Sequence, residues 1–533
     1  MTFVRSLSRL AQAKPRKKRR KKPKAKKKPK KKKVVAKPTP KPTPKPVPRP
    51  APYVPPAVLA AADQHLVARF TFGHTPQLAA AVTAAGGGRA WFARQLTLTS
   101  DPAVARVDAQ AWWPSIAKAA PEQWKDHQAG RRMTYQNGGD LVRLSLVRKI
   151  LAEHQVLEVM ADFWLNHLYV PAGEDRSGPW RRDYEDLVRR HALGNVADLV
   201  AAAVVHPAMT GFLTNYSNTR FGLDENLGRE VLELHTVGRL AGYTEDDVKT
   251  SARILTGFKL DAFRTFEASY RPSDHYTGRV SVLGFEHANT DPDGRAVTDA
   301  YLRHLALHPS TAQRIARKLC VRFVSDDPSA AVVAAVRAAY TSSRGDVRAC
   351  LRALVAHPDF WASAGRKVRN ATEDVVASAR AVGAVPTRPG AEGQTFGTHL
   401  IWMTQGVGMR PYSWPRPDGE PSNGSAWSGP TRWLRSWNGR FLMSQDGWRS
   451  TDVTRRTAAA SLPTVWPRTL AEVTDHVSRV SLGAVATATE KAAVATALGK
   501  PQTTSYRTAA SVDAQTLAMV RGVLMNSPRH LMR

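Results

Sequence analysis

Cysteine is nearly absent from this chain: Cys320 and Cys350 are the only two among 533 residues. That excludes a disulfide scaffold and any four-cysteine zinc site. Both sit in apolar helical patterns, IARKLCVRF and VRACLRALV, which predict buried free thiols. Long hydrophobic runs are also lacking, and no stretch approaches the ~18 apolar residues of a membrane helix. Arg5 and Arg9 break up Met1–Ala13, and no hydrophobic run follows Arg19-Arg20, so no secretory signal is recognised and the default expectation is the cytoplasm. There is no His-Glu-x-x-His, no Gly-x-Ser-x-Gly, no phosphate-loop Gly-x4-Gly-Lys-Ser/Thr and no Cys-x2-Cys. The Glu-x2-His repeat of helical di-iron bundles is missing as well. These gaps argue against the common zinc peptidase, serine hydrolase, nucleotidase and zinc-finger readings.

Negative charge is missing from the first part of the chain, where no Asp or Glu precedes Asp63. Of the 78 Lys and Arg residues, 22 lie in that stretch, so it supplies +22 of the formal +34. The rest of the chain holds 56 basic and 44 acidic residues. Residues 14–33 are an almost unbroken Lys/Arg run with scattered Pro and Ala. Like charges at this density repel, and no apolar residues offset chain entropy, so residues 1–36 are expected to be a disordered tail. Residues 37–56 are Pro-rich, which predicts a stiff polyproline II linker rising ~3.1 Å per residue. An arm of this kind suits an anionic polymer, either nucleic acid or an envelope polyanion, with binding that weakens steeply in salt. It lacks interleaved aromatics, so base stacking is not indicated.

From residue 57 to 533 the pattern is that of a mostly helical domain. The longest periodic segment, Asp140 to Leu168, sets Leu144, Val147, Ile150, Leu157, Met160, Trp164 and Leu168 largely on one face. Further helices are expected over Trp180–Leu193, Val196–Leu213, Glu225–Val237, Glu245–Thr256 and Thr311–Val324, with more toward the C-terminus. Thr265 to Phe285 alternates, and Tyr276-Thr-Gly278 suggests a hairpin turn. Residues 383–430 are Gly- and Pro-rich and read as an irregular segment too long to be idle. The expected class is therefore all-α: a large irregular multi-helix globular domain with one short β-hairpin, preceded by a disordered basic tail. His206-Pro, His308-Pro and His357-Pro read as recurring helix boundaries.

The densest polar stretch is Leu223 to Phe258, with Glu225, Asn226, Arg229, Glu230, Glu233 and His235 close together. It carries a family resemblance. In order come Ala68-Arg-Phe-Thr-Phe-Gly-His-Thr-Pro76, Phe163-Trp-Leu-Asn-His167, His206-Pro-Ala-Met, Asp224-Glu-Asn-Leu-Gly-Arg-Glu-Val-Leu-Glu-Leu-His-Thr-Val-Gly238, Leu255-Thr-Gly-Phe258, His275-Tyr-Thr-Gly278 and Leu307-His-Pro-Ser-Thr-Ala312. This series resembles the bacterial family catalogued as domain of unknown function 1800, over most of Leu59 to Met525. The resemblance implies a mostly helical single domain and no particular activity. It also implies export to the envelope, an alternative to the cytoplasmic default. Tyr276 stands where the family pattern tends to have Asp after His, which weakens a metal pair with His275.

On an α-helix, Asn226, Glu230 and Glu233 fall within a ~60° arc, so their side chains can converge. Two carboxylates there suit a divalent cation or general acid–base work. His235 points ~200° from Glu233 unless the helix is distorted. His167, beside Trp164 and Asn166 at the foot of a core helix, is the best imidazole from another element. The candidate catalytic set is Glu230, Glu233, His167 and His235, and the candidate binding set is Asn226, Arg229, Trp164, Asn166 and Trp414. The competing reading is an ion-pair ladder, because Glu225, Arg229 and Glu233 stand at four-residue spacing. No cofactor is indicated, and a metal is neither assigned nor excluded.

Two other features invite functional readings. Asn289-Thr-Asp-Pro-Asp-Gly294 imitates half a calcium loop, but Ala300 stands where the bidentate Glu belongs. A turn before a helix N-cap at Thr298 or Asp299 accounts for it as well. Trp402, Tyr412, Trp414, Trp427, Trp433 and Trp437 suit either stacking on a ligand or pinning a long loop to the body. At the level of function, two classes stay open. One is a binding or scaffold protein with a polycationic arm. The other is a hydrolase-like enzyme with a carboxylate and imidazole site.

Overall fold

The computed structural model describes residues 52–390 and 395–533. The basic tail and most of the Pro-rich linker lie outside these residues. Among the described residues the architecture is helix on helix, with 27 α-helical segments and four short two-strand pairings. None of these helices is long and apolar enough to cross a membrane.

At the centre is the helix Thr134–Leu151, buried on nearly every face. Gln136 accepts a hydrogen bond from the Met133 backbone N–H at 2.8 Å and closes its first turn. It packs against the helices Ala371–Ala381 and Phe396–Val407. The first of these is buried at all eleven positions. The second falls inside the 383–430 segment, whose expected irregularity is thus interrupted by twelve helical residues. Thr395 caps that helix by accepting from the Thr398 N–H at 3.2 Å.

The following helix, Gln155–His167, places Val156, Met160 and Trp164 wholly in the main core. The Trp164 indole N–H donates to the Ala192 carbonyl at 3.0 Å. Burying a ring of this size contributes roughly 4 kcal/mol at ~25 cal/mol per Å². A second, smaller core joins Leu470, Val477, Val494, Val520 and Leu524. Cys320 and Cys350 are buried free thiols, each pushed up to about 12 by burial.

The His-Pro pairs have a common structural cause. His206, His308 and His357 each accept, through Nδ1, the backbone N–H two residues on, at 3.1, 3.1 and 3.3 Å. Proline then occupies the first helical position, where its missing N–H costs nothing. His308 and His357 also terminate the preceding helices, so each is a boundary in both directions.

The strand content differs from the single expected hairpin. Phe258–Leu260 pairs with Ala268–Tyr270, and Val280–Val282 with Phe285–His287. The tight turn is Leu283-Gly284, both with positive φ (47° and 81°), rather than Tyr276–Gly278. Gly278 instead donates its N–H to the Asn289 carbonyl at 2.9 Å, outside either hairpin. Two further pairings join Val385–Pro386 to Val453–Thr454 and Arg468–Thr469 to Ser505–Tyr506. The half calcium loop does not close on one point. Asn289 is buried and accepts at Oδ1 from the His275 ring at 3.0 Å, while Asp293 pairs with Arg295 at 2.5 Å. The helix after it starts at Arg295 with Gly294 as its N-cap, earlier than the cap expected at Thr298 or Asp299.

Candidate functional site

The polar stretch after Leu223 folds as a short α-helix, Asn226–Glu230, that widens into a π-helical turn, Val231–His235. Thr236 holds the turn by donating its hydroxyl to the Val231 carbonyl at 2.6 Å. A π turn changes the rotation per residue, and such turns cluster at functional sites. Here it swings His235 into the core, where it is fully buried.

His235 meets His167 there in a reciprocal lock. The His167 Nε2–H donates to the His235 carbonyl at 3.0 Å, and the His235 Nδ1–H donates to the His167 carbonyl at 3.2 Å. A carbonyl only accepts, so these bonds fix both tautomers and leave His167 Nδ1 as an acceptor. Lys318 Nζ, from the helix Pro309–Phe323, donates to that Nδ1 at 2.9 Å. Burial, and then the Lys318 charge, hold His167 well below the usual imidazole range. Burial takes His235 down to about 3.

The opposite wall is the loop around Gly419. Asn166 grips it twice: its Nδ2 donates to the Glu420 carbonyl at 2.8 Å, and its Oδ1 accepts from the Glu420 N–H at 2.6 Å. The approach is so close that a Cβ on Gly419 would lie 2.1 Å from the Asn166 carbonyl oxygen, and Gly419 has φ +76°. Trp414 and Arg416 bracket Asp418. The indole N–H donates to Oδ1 at 2.9 Å, and the guanidinium pairs with Oδ2 at 2.9 Å.

Between these walls lies a cavity of about 500 Å³ lined by Asn166, His167, Arg314, Arg317, Lys318, Arg416, Asp418 and Glu420. Burial, reinforced by Arg314, lowers the Lys318 ammonium to about 7. Burial and the Asp162 carboxylate raise Glu420 to about 8. The charges acting on Lys318 are Arg314 and Asp418, whereas those acting on Glu420 are Asp162, Lys149, Arg322 and Glu373, so the two groups belong to different charge environments.

Glu420 also borders a second, tighter cavity of about 40 Å³, backed by a buried ionic cluster. Arg322 and Arg533 converge on Glu373 at 2.5 and 2.7 Å, and Lys149 pairs with Asp162 at 3.3 Å. Lys149 also donates to Ser145 Oγ at 2.6 Å and to the Tyr412 hydroxyl at 3.2 Å.

The other sequence-derived candidates lie around this centre. Glu233 pairs with Arg239 at 2.8 Å. Arg229 joins Glu225 at 3.2 Å and Glu245 at 2.7 Å, an exposed ladder. The Asn226 amide reaches back to the Leu213 carbonyl at 3.3 Å. Glu230 is held above the usual carboxylate range by burial and by the Glu233 charge, with Asp418 adding to both. Trp402 and Trp437 are 52% and 46% exposed, whereas Trp427 and Tyr412 are buried. Among the described residues, no three His, Cys, Asp or Glu side chains are grouped to hold a metal ion.

The order and spacing of the motifs are matched by a family model over residues 65–532, under the description "Protein of unknown function (DUF1800)". The chain belongs to the DUF1800 family. No curated protein and no solved structure matches it. For this DUF1800 chain, two motifs that carried the resemblance, Phe163–His167 and Asp224–Gly238, meet physically at the His167–His235 lock. Lys318 and Glu420 escaped the sequence reading. One is a lysine among several cationic positions of an amphipathic helix, and the other is one acid in a Pro-rich loop. Only the Asp162-Phe-Trp-Leu-Asn-His167 run signalled the place.

Proposed function

We propose that the protein is a binding or scaffold protein. Its basic arm, residues 14–33, engages an anionic polymer, and its helical body presents the Lys318 cleft. The observation that carries this reading is the segregation of charge. Glu225, Glu233 and Glu245 are ion-paired within the globule, while +22 of the formal +34 lies before Asp63. Removing residues 1–56 and measuring binding to inorganic polyphosphate tests it. The expected result is loss of most affinity, and undiminished binding contradicts it.

A second reading, a hydrolase-like enzyme, is favoured by one specific arrangement. Lys318 donates to His167 Nδ1 in the cavity that Glu420 also lines. In this reading Lys318, once neutral, takes a proton from the water that attacks the scissile bond and returns it to the leaving group, and His167 is a positioning residue that aims the amine. Glu230 lies within electrostatic reach through Asp418. Acylation of Lys318 by acetic anhydride, followed by mass spectrometry across pH, tests the amine. A midpoint near pH 7 is expected. A midpoint near ~10, the ordinary lysine value, contradicts this role.

A further inference from the structure

A larger cavity, about 920 Å³, opens elsewhere on the globule. Its lining holds five arginines, Arg94, Arg106, Arg380, Arg455 and Arg456, against a single carboxylate, Glu153. Three of these are inner residues with incomplete partners. Arg380 is 4% exposed and donates only to the Gly73 and Ile150 carbonyls, at 2.9 and 2.7 Å. Arg456 donates only to the Ala381 carbonyl at 3.1 Å. Arg455 pairs with Asp446 at 2.5 Å but leaves Nε and one Nη buried without partners. Burial lowers Arg456, and burial plus the nearby Arg456 charge lower Arg521 to about 10. Arg521 itself is buried and bonds only Ser461 and the Arg456 carbonyl. Arg380 and Arg456 thus bond only carbonyls and have no carboxylate partner among the described residues. Desolvated cations without counter-ions are costly, and a bound anion offsets that cost.

The rim and the walls narrow the class of anion. Arg94 and Arg106 are exposed at the mouth and make no side-chain ion pair or hydrogen bond among the described residues. The lining also holds apolar side chains, Leu78, Trp91, Leu98 and Ile150 among them. A guanidinium fork suits phosphate oxygens two at a time. A volume of about 920 Å³ is far more than one inorganic phosphate fills.

We propose that this cleft binds an organic phosphate, with Arg380 and Arg456 holding its anionic group and Leu78 and Trp91 covering its apolar body. Arg94 and Arg106 guide the anion inward from the mouth. The site is separate from the Lys318 cleft and does not rest on the function proposed for it.

The test uses the full chain, because ligand bound at the cleft raises the melting temperature of the globule. Phenyl phosphate and inorganic phosphate are the probes, compared in the parent, in an Arg94→Gln/Arg106→Gln variant and in Arg456→Gln. The expected result is saturable stabilisation by phenyl phosphate, at least tenfold tighter than by inorganic phosphate. The affinity should fall at least tenfold in Arg456→Gln and measurably in the rim variant. The rim residues are exposed, so that variant keeps its fold even where Arg456→Gln does not. Equal affinity in the parent and the rim variant, or no preference for phenyl phosphate, overturns the proposal.

Discussion

Lys318 is held in a position that costs stability. Its folded-state pKa is lowered from 10.5 to about 7, first by burial and then by Arg314. A cationic group lowered in this way favours folding only above its unfolded pKa. Through the neutral range it works against the fold, because the unfolded chain binds the proton more tightly. Lys318→Met, which keeps the length and drops the charge, is therefore expected to raise stability at pH 7 by roughly 1–2 kcal/mol. The gain should fade toward pH 10. Urea unfolding at both pH values measures this, and a loss at pH 7 would show that the His167 bond outweighs the burial cost. At Asn166 the expectation has the opposite sign. Asn166→Ala removes both bonds to Glu420 and is expected to cost about 1–3 kcal/mol, read by the same unfolding experiment.

The helical elements were largely legible from periodicity and caps. Thr75-Pro76 opens a helix by a cap of this kind: the Thr75 hydroxyl accepts from the Leu78 N–H at 3.1 Å, with Pro76 at the first helical position. The segment Asp140 to Leu168, read as one periodic run, is two helices, Thr134–Leu151 and Gln155–His167, separated by residues 152–154. The π turn at Val231–His235 was not legible, because nothing in VLELH separates a π turn from an α turn. Projection at α-helical spacing turned His235 away from its neighbours, and the wider turn brings it to His167. The partner of Asn166 was hidden for a different reason. It lies 254 residues away, across a contact that only tertiary packing creates. Gly419 now makes that contact testable at the level of the loop. Gly419→Ala places a methyl against the Asn166 carbonyl at a backbone angle L-residues avoid. The expected outcome is release of the 414–423 loop, seen as faster proteolytic cleavage there and a changed Trp414 environment. Unchanged cleavage would mean the loop tolerates a shifted path.

At the scale of the whole molecule, buried imidazoles set the response to acid. Burial takes His65 to about 4, His74 to about 3, His235 to about 3 and His476 to about 4, from an ordinary 6.5. A lowered folded pKa gives stability that is complete above the unfolded value and is lost as pH falls toward the folded one. Glu373 acts in the same direction further down. Burial opposes its ionisation, but Arg322 and Arg533 outweigh it and hold the carboxyl at about 2. Stability should therefore begin to fall below pH 6.5 and keep falling toward pH 3, by roughly 1–2 kcal/mol per buried imidazole between pH 7 and 5. Denaturant unfolding at pH 7 and pH 5 checks this, and equal stability at both would contradict it.

The proposed function rests on the division of labour between arm and globule, and salt dependence tests that division most directly. Binding of inorganic polyphosphate is to be titrated against salt for the full chain and for the chain lacking residues 1–56. If the arm carries the interaction, log affinity of the full chain falls steeply with log salt, and the shortened chain loses most of that slope with most of the affinity. Equal slopes and equal affinities for the two chains would contradict the account.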